Sequence, residues 1–432
     1  MKELGPFLLT PLFAIIGRSG GMIVPFFIAH FYGVTEQTDA FFFASGIVMF
    51  LWGVFQQVFE TVLLPFHAEH KRQSKEALAG FLRAVLYRIL PLMIAGSVAL
   101  SFALPWLLRH TSGLNAGSAG LVTEIFTLLI PFLILTVWVS AVNGILNSYK
   151  VFWFPAFSPF IRSVMIILAM FLLHQSLGIH AITAGFVTGE FFRWMMSLWI
   201  LSSLGFWGIT SAVPGTSSGM KDFWRQSGFQ ILALGAVQII PLVNQWCVSW
   251  LGVGGLSLLN YADRLYQIPF QLFLTGQSQI FFSNWADHYY ELTREEFSKR
   301  VKTSLRLALA GVTVLVVVCW AGKVLLVRLA FGHGEIPEEM LRGITDLFGW
   351  LILSLPPAIA NTLLLRVLFV MRKSGAFLLQ SAVRLGLQLV LNIVFMKLYG
   401  ISGVGMAALV SVGLTSVWMY FYIAWLWRQP KA

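Results

Sequence analysis

Leu259-Asn260-Tyr261-Ala262-Asp263-Arg264-Leu265-Tyr266-Gln267-Ile268-Pro269-Phe270 sets an adjacent acid and base inside a segment, residues 250–285, that otherwise carries no charge. Ionised side chains at bilayer depth cost at least about 2.5–3.5 kcal/mol each, so they persist where they face a wet cavity or a partner. Spacings of three and four put Asn260, Arg264, Gln267 and Gln271 on one face of a helix, with Gln277 farther along. Such a face is either a buried polar seam between helices or the wall of a solute pathway.

The surrounding chain makes this a helix among many in a membrane. Of 432 residues, 58% are hydrophobic and 11% charged, against about a quarter charged in a soluble domain. The apolar runs are long and continuous rather than alternating, which selects helices over a barrel. With roughly 20 apolar residues per crossing, about twelve spans are predicted, near 7–32, 38–65, 80–108, 119–148, 151–174, 179–203, 226–251, 255–285, 303–330, 341–366, 375–398 and 401–427. Residues 7–32 are too long for a cleavable signal and lack a small-residue cleavage site, so the first span is expected to be structural.

The net charge of +11 sits in alternate short loops: Lys71, Arg72 and Lys75; Lys150; Lys221 and Arg225; Arg294, Lys299, Arg300 and Lys302; Arg372 and Lys373; Arg428 and Lys431. The opposite loops hold little beyond Arg109 and Lys397. This bias places both termini in the cytoplasm and points to anionic lipid headgroups, not nucleic acid, as the partner of the positive charge. Cys247 and Cys319 lie in apolar runs, so neither a disulfide framework nor a metal site is expected.

The halves repeat. Ala68-Glu69-His70 matches Ala286-Asp287-His288, Asn143 matches Asn361, and Gly178-Ile179 matches Gly400-Ile401, in order and at a nearly constant offset. Six spans per half is an even number, so the repeats run parallel. The expected fold class is an all-α polytopic membrane protein of about twelve transmembrane helices, in two pseudo-symmetric six-helix bundles around a central cavity. Residues 1–204 form the first bundle, 205–224 a cytoplasmic linker and 225–432 the second.

The chain carries no Gly-rich phosphate loop, no metal-spaced His cluster and no G-x-S-x-G elbow, so an enzyme, a cofactor and a metal are not expected. What remains are polar groups at membrane depth. Arg18 stands mid-helix in Gly17-Arg18-Ser19-Gly20-Gly21, where glycines admit a close neighbour. Asp39 reads as a helix-start residue and Glu60 closes the second span. Arg162 lies in the fifth span; Glu190 and Arg193 in the sixth are spaced to pair with each other. The seventh has Gln230, Gln238, Asn244 and Gln245. Gln380, Arg384, Gln388 and Asn392 share a face of the eleventh, as packing seam or pathway. Arg18 and Arg264 lack a surplus acid beside them, apart from Asp263, and cations facing a cavity suit a phosphate or pyrophosphate, which guanidinium grips with two N–H groups.

Gly17-Arg18, Phe31-Tyr32-Gly33 and Thr38-Asp39-Ala40-Phe41-Phe42 resemble the opening of the lipid II flippase family of the MurJ/MviN type. Asn143-Gly144-Ile145-Leu146-Asn147 with Phe154-Pro155-Ala156-Phe157-Ser158-Pro159, and Tyr261-Ala262-Asp263-Arg264-Leu265 with Pro269, are similar to two further stretches of that family, so the likeness runs over essentially the whole chain. The resemblance implies a V-shaped, alternating-access flippase, and the chain is expected to act as a monomer in the bacterial inner membrane. Its cargo would be a polyprenyl-diphosphate-linked saccharide, lipid II or a similar precursor, carried to the outer leaflet. It also implies that Arg18, Asp39 and Arg264 line the cavity. Asp263, Asn260, Gln267 and Gln271 join them as candidate substrate contacts, followed by Asn143, Asn147 and Arg384. Val24, Pro25 and Trp52 stand where the family has an arginine, an acid and a further arginine; the sodium-site acids of some members have no counterpart; and about twelve spans stand against the family's fourteen. A multidrug or cation exporter of the same superfamily and an exopolysaccharide-unit flippase are the alternatives; an exporter of cations would line its cavity with acids.

Overall fold

The computed structural model describes residues 4–58, 66, 70, 74–206, 220–288, 291–334, 336–371 and 374–428. Glu60 and most of the 205–224 linker lie outside the described residues, as do the side chains of Gln230, Gln277 and the 286–288 repeat motif. Regular structure among the described residues is helical: α1 Leu4–Tyr32, α2 Glu36–Val58, α3 Lys75–Thr111, α4 Ala116–Leu128, α5 Ile130–Ser148, α6 Trp153–Leu177, α7 His180–Ser203, α8 Met220–Gln238, α9 Ile240–Val248, α10 Gly255–His288, α11 Arg294–Ala321, α12 Lys323–Phe331, α13 Glu338–Leu353, α14 Leu355–Val370, α15 Ser374–Tyr399 and α16 Ser402–Arg428, with a short 3₁₀ turn at Ser249–Leu251.

Four stretches expected as single spans are each two helices, and the sequence explains where they part. Proline has no N–H and its ring clashes with the preceding turn, so it is tolerated in the first turn of a new helix. Pro131 accordingly opens α5 after a break at Leu129, Pro241 opens α9, and Pro356 and Pro357 open α14 after Ser354. The fourth break, between α11 and α12, falls at Gly322. Pro91 and Pro105 in α3 and Pro269 in α10 remain inside continuous helices.

The chain folds as two compact units, Met1–Leu242 and Val243–Ala432. In the first, α1 packs on α6, α6 on α7, α5 on α7, and α2 on α4 and α8. In the second, α10 packs on α13 and α14, α15 on α16, and α16 also on α13 and α14. Two features of the repeat recur as backbone geometry. The expected fourth and tenth spans both break at a proline-led second helix. The α6–α7 and α15–α16 turns both pivot on a left-handed glycine, Gly178 at φ 53° and Gly400 at φ 58°. Each of these glycines donates its N–H back four residues, to His174 or Met396, and accepts from the N–H three residues on, Ala181 or Gly403. A side chain at either glycine would be strained whatever the space around it.

Large apolar side chains point outward from both units, among them Phe102, 82% exposed, and Leu172 at 70%. That inversion of the soluble pattern is what a lipid solvent favours. Among the described residues, nine stretches are long and apolar enough to cross a membrane. The expected spans at 179–203 and 255–285 are helical but more polar, carrying Glu190 and Arg193 in the one and Asp263 and Arg264 in the other, and the expected span at 226–251 is divided between α8 and α9. The protein is a multi-pass membrane protein.

Candidate translocation site

The charged stretch of α10 lies half-buried. Asn260, Asp263, Arg264, Gln267 and Gln271 are all of intermediate exposure, while Tyr261, Ala262 and Leu265 beside them are buried in the second unit. The Asn260 amide donates to the Leu256 carbonyl at 2.8 Å and its Oδ1 receives Gln245 Nε2 at 3.4 Å. The Gln267 amide bonds the Asp263 carboxylate, and Asp263 in turn attracts Arg264. One carboxylate therefore serves two neighbours on α10. The Arg264 Nε is buried and meets no partner among the described residues.

Arg384 on α15 has the same deficiency: its Nε is buried and unpartnered among the described residues. Tyr266 connects the two regions, since its hydroxyl bonds Ser354 and it lies within electrostatic reach of both Asp263 and Arg384. Tyr266 was not among the residues singled out from the sequence; its i, i+3 relation to Asp263 was the available signal. Two half-buried guanidinium groups with unmet donors form a site short of acceptors. Leaving a buried donor unsatisfied costs about 1–3 kcal/mol, more for a charged group, so an incoming oxyanion gains what the unoccupied protein forgoes.

The other polar residues on α15 resolve into a packing seam. Gln388 and Asn392 are buried and both donate to Asn244 Oδ1, at 3.0 and 2.8 Å. The Ser411 hydroxyl donates to Gln388 Oε1, and Gln380 Nε2 reaches Asn361 Oδ1 at 3.4 Å. Of the four residues on that face, Arg384 is the one left with an unmet buried donor.

In the first unit, the face of α1 bearing Gly17 and Gly20 lies against α6. A Cβ on Gly17 would collide with the Ala156 carbonyl oxygen, and one on Gly20 would come within 2.7 Å of Ser163. The close neighbour expected for these glycines is thus α6, and Arg18 projects on the opposite face, exposed with Ile15 and Gly21. Asp39 is buried in the first turn of α2, where the helix dipole favours a carboxylate. The cap itself is Thr35, whose hydroxyl receives the Thr38 N–H at 3.2 Å while Thr38 Oγ1 receives the Thr35 N–H at 2.8 Å. Asn143 and Asn147 lie half-buried on α5, the Oδ1 of Asn143 without a partner among the described residues. Glu190 and Arg193 do pair, at 2.7 and 2.8 Å.

A family model described as "Lipid II flippase MurJ" matches residues 28–430. The chain belongs to the MurJ lipid II flippase family. Among curated MurJ relatives, the probable lipid II flippase of Buchnera aphidicola subsp. Acyrthosiphon pisum is 26% identical over 76% of this chain and 64% of its own length. The lipid II flippase MurJ of Burkholderia cenocepacia is 24% identical over 68% and 59%, and the probable flippase of Vibrio cholerae 25% over 94% and 80%. The chain thus spans about three-fifths of the first two relatives. A solved structure described as MurJ in an inward closed conformation superposes with a TM-score of 0.85 at 20% identity, over 96% of this chain and 87% of that one. An inward-facing multidrug resistance MATE transporter of the MOP superfamily gives 0.78 at 13%, over 97% and 100%. The MurJ-family fold is shared with these proteins.

Proposed function

We propose that this protein is a flippase that moves a polyprenyl-diphosphate-linked saccharide, lipid II or a similar cell-wall precursor, from the inner to the outer leaflet of the bacterial inner membrane. It acts as a single chain, by alternating access, with both termini cytoplasmic. The observation that carries the reading is the pair of half-buried arginines, Arg264 and Arg384, each holding an Nε with no acceptor among the described residues. A diphosphate supplies acceptors of the right charge and geometry. Arg18 is the corresponding cation of the first unit, with Asn260, Gln267 and Gln271 as neutral contacts for sugar hydroxyls. A hydrated, charged headgroup cannot cross hydrocarbon unaided, and these groups provide its route while the polyprenyl tail stays in lipid.

The MATE likeness favours one rival, export of a cationic drug. Half-buried arginines oppose it, because a cation would meet like charge. Two measurements decide. One is rescue of cells depleted of their own lipid II flippase. The other is binding of polyprenyl-linked glycans to the purified chain. Rescue and binding are expected. Neither, together with export of a cationic dye, would replace this reading with the drug exporter, and binding of an exopolysaccharide precursor alone would move the substrate to that class.

A further inference from the structure

Within the first unit, three charges meet at the α6–α7 interface. Glu190, fully buried, is held by Arg193 Nη1 at 2.8 and 2.7 Å to its two carboxylate oxygens. The remaining edge of Arg193 is committed too, with Nε and Nη2 at 3.3 and 3.1 Å from Ser158 Oγ. The single charge of Glu190 is thus already balanced by Arg193, which makes the shorter contacts. Arg162 is the surplus cation: it touches Glu190 once, Nη1 to Oε2 at 3.4 Å. Its guanidinium carbon lies 5.6 Å from the Trp52 ring centroid and 5.5 Å from that of Phe132, inside the range where a ring face attracts a cation.

The cation is oriented and kept from lipid. On α6, the exposed apolar residues Val164, Leu168 and Phe171 lie on the side of the helix opposite Arg162, and on α7 Phe192, Met195 and Trp199 lie opposite Glu190. Gly189 fixes the backbone, since a Cβ there would come within 2.9 Å of the Arg162 Cα, and Gly185 makes the same approach at Ile166. This is the small-xxx-small contact that brings membrane helices to close range. The Arg162 side chain keeps 14% exposure, and its Nε and Nη2 make no hydrogen bond among the described residues. A charge whose acid is already neutralised, braced by two rings and open at one edge, is surplus to the packing of the unit.

We propose that Arg162 is an anion contact, its open edge gripping the diphosphate of the transported lipid while Trp52 and Phe132 hold the guanidinium in place. This rests on the flippase reading above. The test uses the full chain in lipid nanodiscs, titrated with a polyprenyl diphosphate bearing a disaccharide, with inorganic pyrophosphate as competitor. Arg162→Gln leaves Glu190 paired with Arg193, so it should fold with a nearly unchanged melting temperature yet bind about tenfold or more weakly and lose competition by pyrophosphate. Arg162→Lys, which keeps the charge and loses the fork, should fall between. A folded Arg162→Gln protein with wild-type affinity would overturn the assignment. Should that variant fail to fold, Arg162→Lys decides in its place, and undiminished affinity there would make the role one of packing alone. Wild-type protein that binds neither probe would sink the flippase reading itself, and this contact with it.

Discussion

Arg264 and Arg384 each hold a cationic, buried Nε that finds no acceptor among the described residues, whereas the other buried unpartnered groups of the second unit, at Gln245, Trp285, Asn361 and Trp427, are neutral. In the proposed cycle that unmet donor is the grip on the headgroup. A charge-assisted hydrogen bond is worth about 1.5–3 kcal/mol, so Arg264→Ala should lower transport roughly ten- to hundred-fold in a well-expressed protein. Arg264→Lys should retain part of it. A liposome assay following a fluorescent polyprenyl-diphosphate saccharide checks both, and normal transport by Arg264→Ala would remove the residue from the pathway. Asp263 and Arg264 were legible because they interrupt an apolar run, a signal contained in a dozen neighbouring letters. Arg162 was not, because its meaning depends on Trp52, Phe132 and Glu190, which belong to three other helices. No local pattern marks a ring that stands under a cation from far along the chain.

At the level of helices, the amide cluster of Asn244, Gln388, Asn392 and Ser411 ties α9 to α15 and α15 to α16. Gln388→Leu takes one donor each from Asn244 Oδ1 and Asn392 Oδ1 and leaves the Ser411 hydroxyl only the Ala408 carbonyl within its own helix. The expected loss is about 1–3 kcal/mol of stability, read as a lower melting temperature of the purified chain with transport per folded molecule little changed. A large fall in transport at unchanged stability would instead assign Gln388 to the pathway. The sequence pattern left that face of α15 open between seam and pathway, since residues four apart share a side whatever that side meets. Helix breaks at Pro131, Pro241, Pro356 and Pro357 were visible as letters, yet Pro91, Pro105 and Pro269 were the same letters inside unbroken helices. Whether a proline ends a helix depends on how its neighbours satisfy the freed carbonyl, and a single sequence does not record that.

Over the whole molecule, topology is the property most firmly tied to composition. By the positive-inside rule, the cations of alternate loops predict that both termini are cytoplasmic. Reporter fusions after Ala432 and within residues 113–118 should therefore report opposite faces of the membrane; finding both on one face would invert or break the assignment. The internal repeat was legible at three short motifs, and at one of them the backbone repeats as well: Gly178 and Gly400 both take a positive φ, within a few degrees of each other, and make the same two backbone hydrogen bonds. That agreement bears on descent. Facing lipid, one aliphatic residue replaces another at little cost, so helices lose the memory of a duplication quickly. A bend that only glycine tolerates has no such latitude, because any replacement must rebuild the corner. In a doubled membrane chain the corners are the slow clock, and kinship between halves is best sought there first.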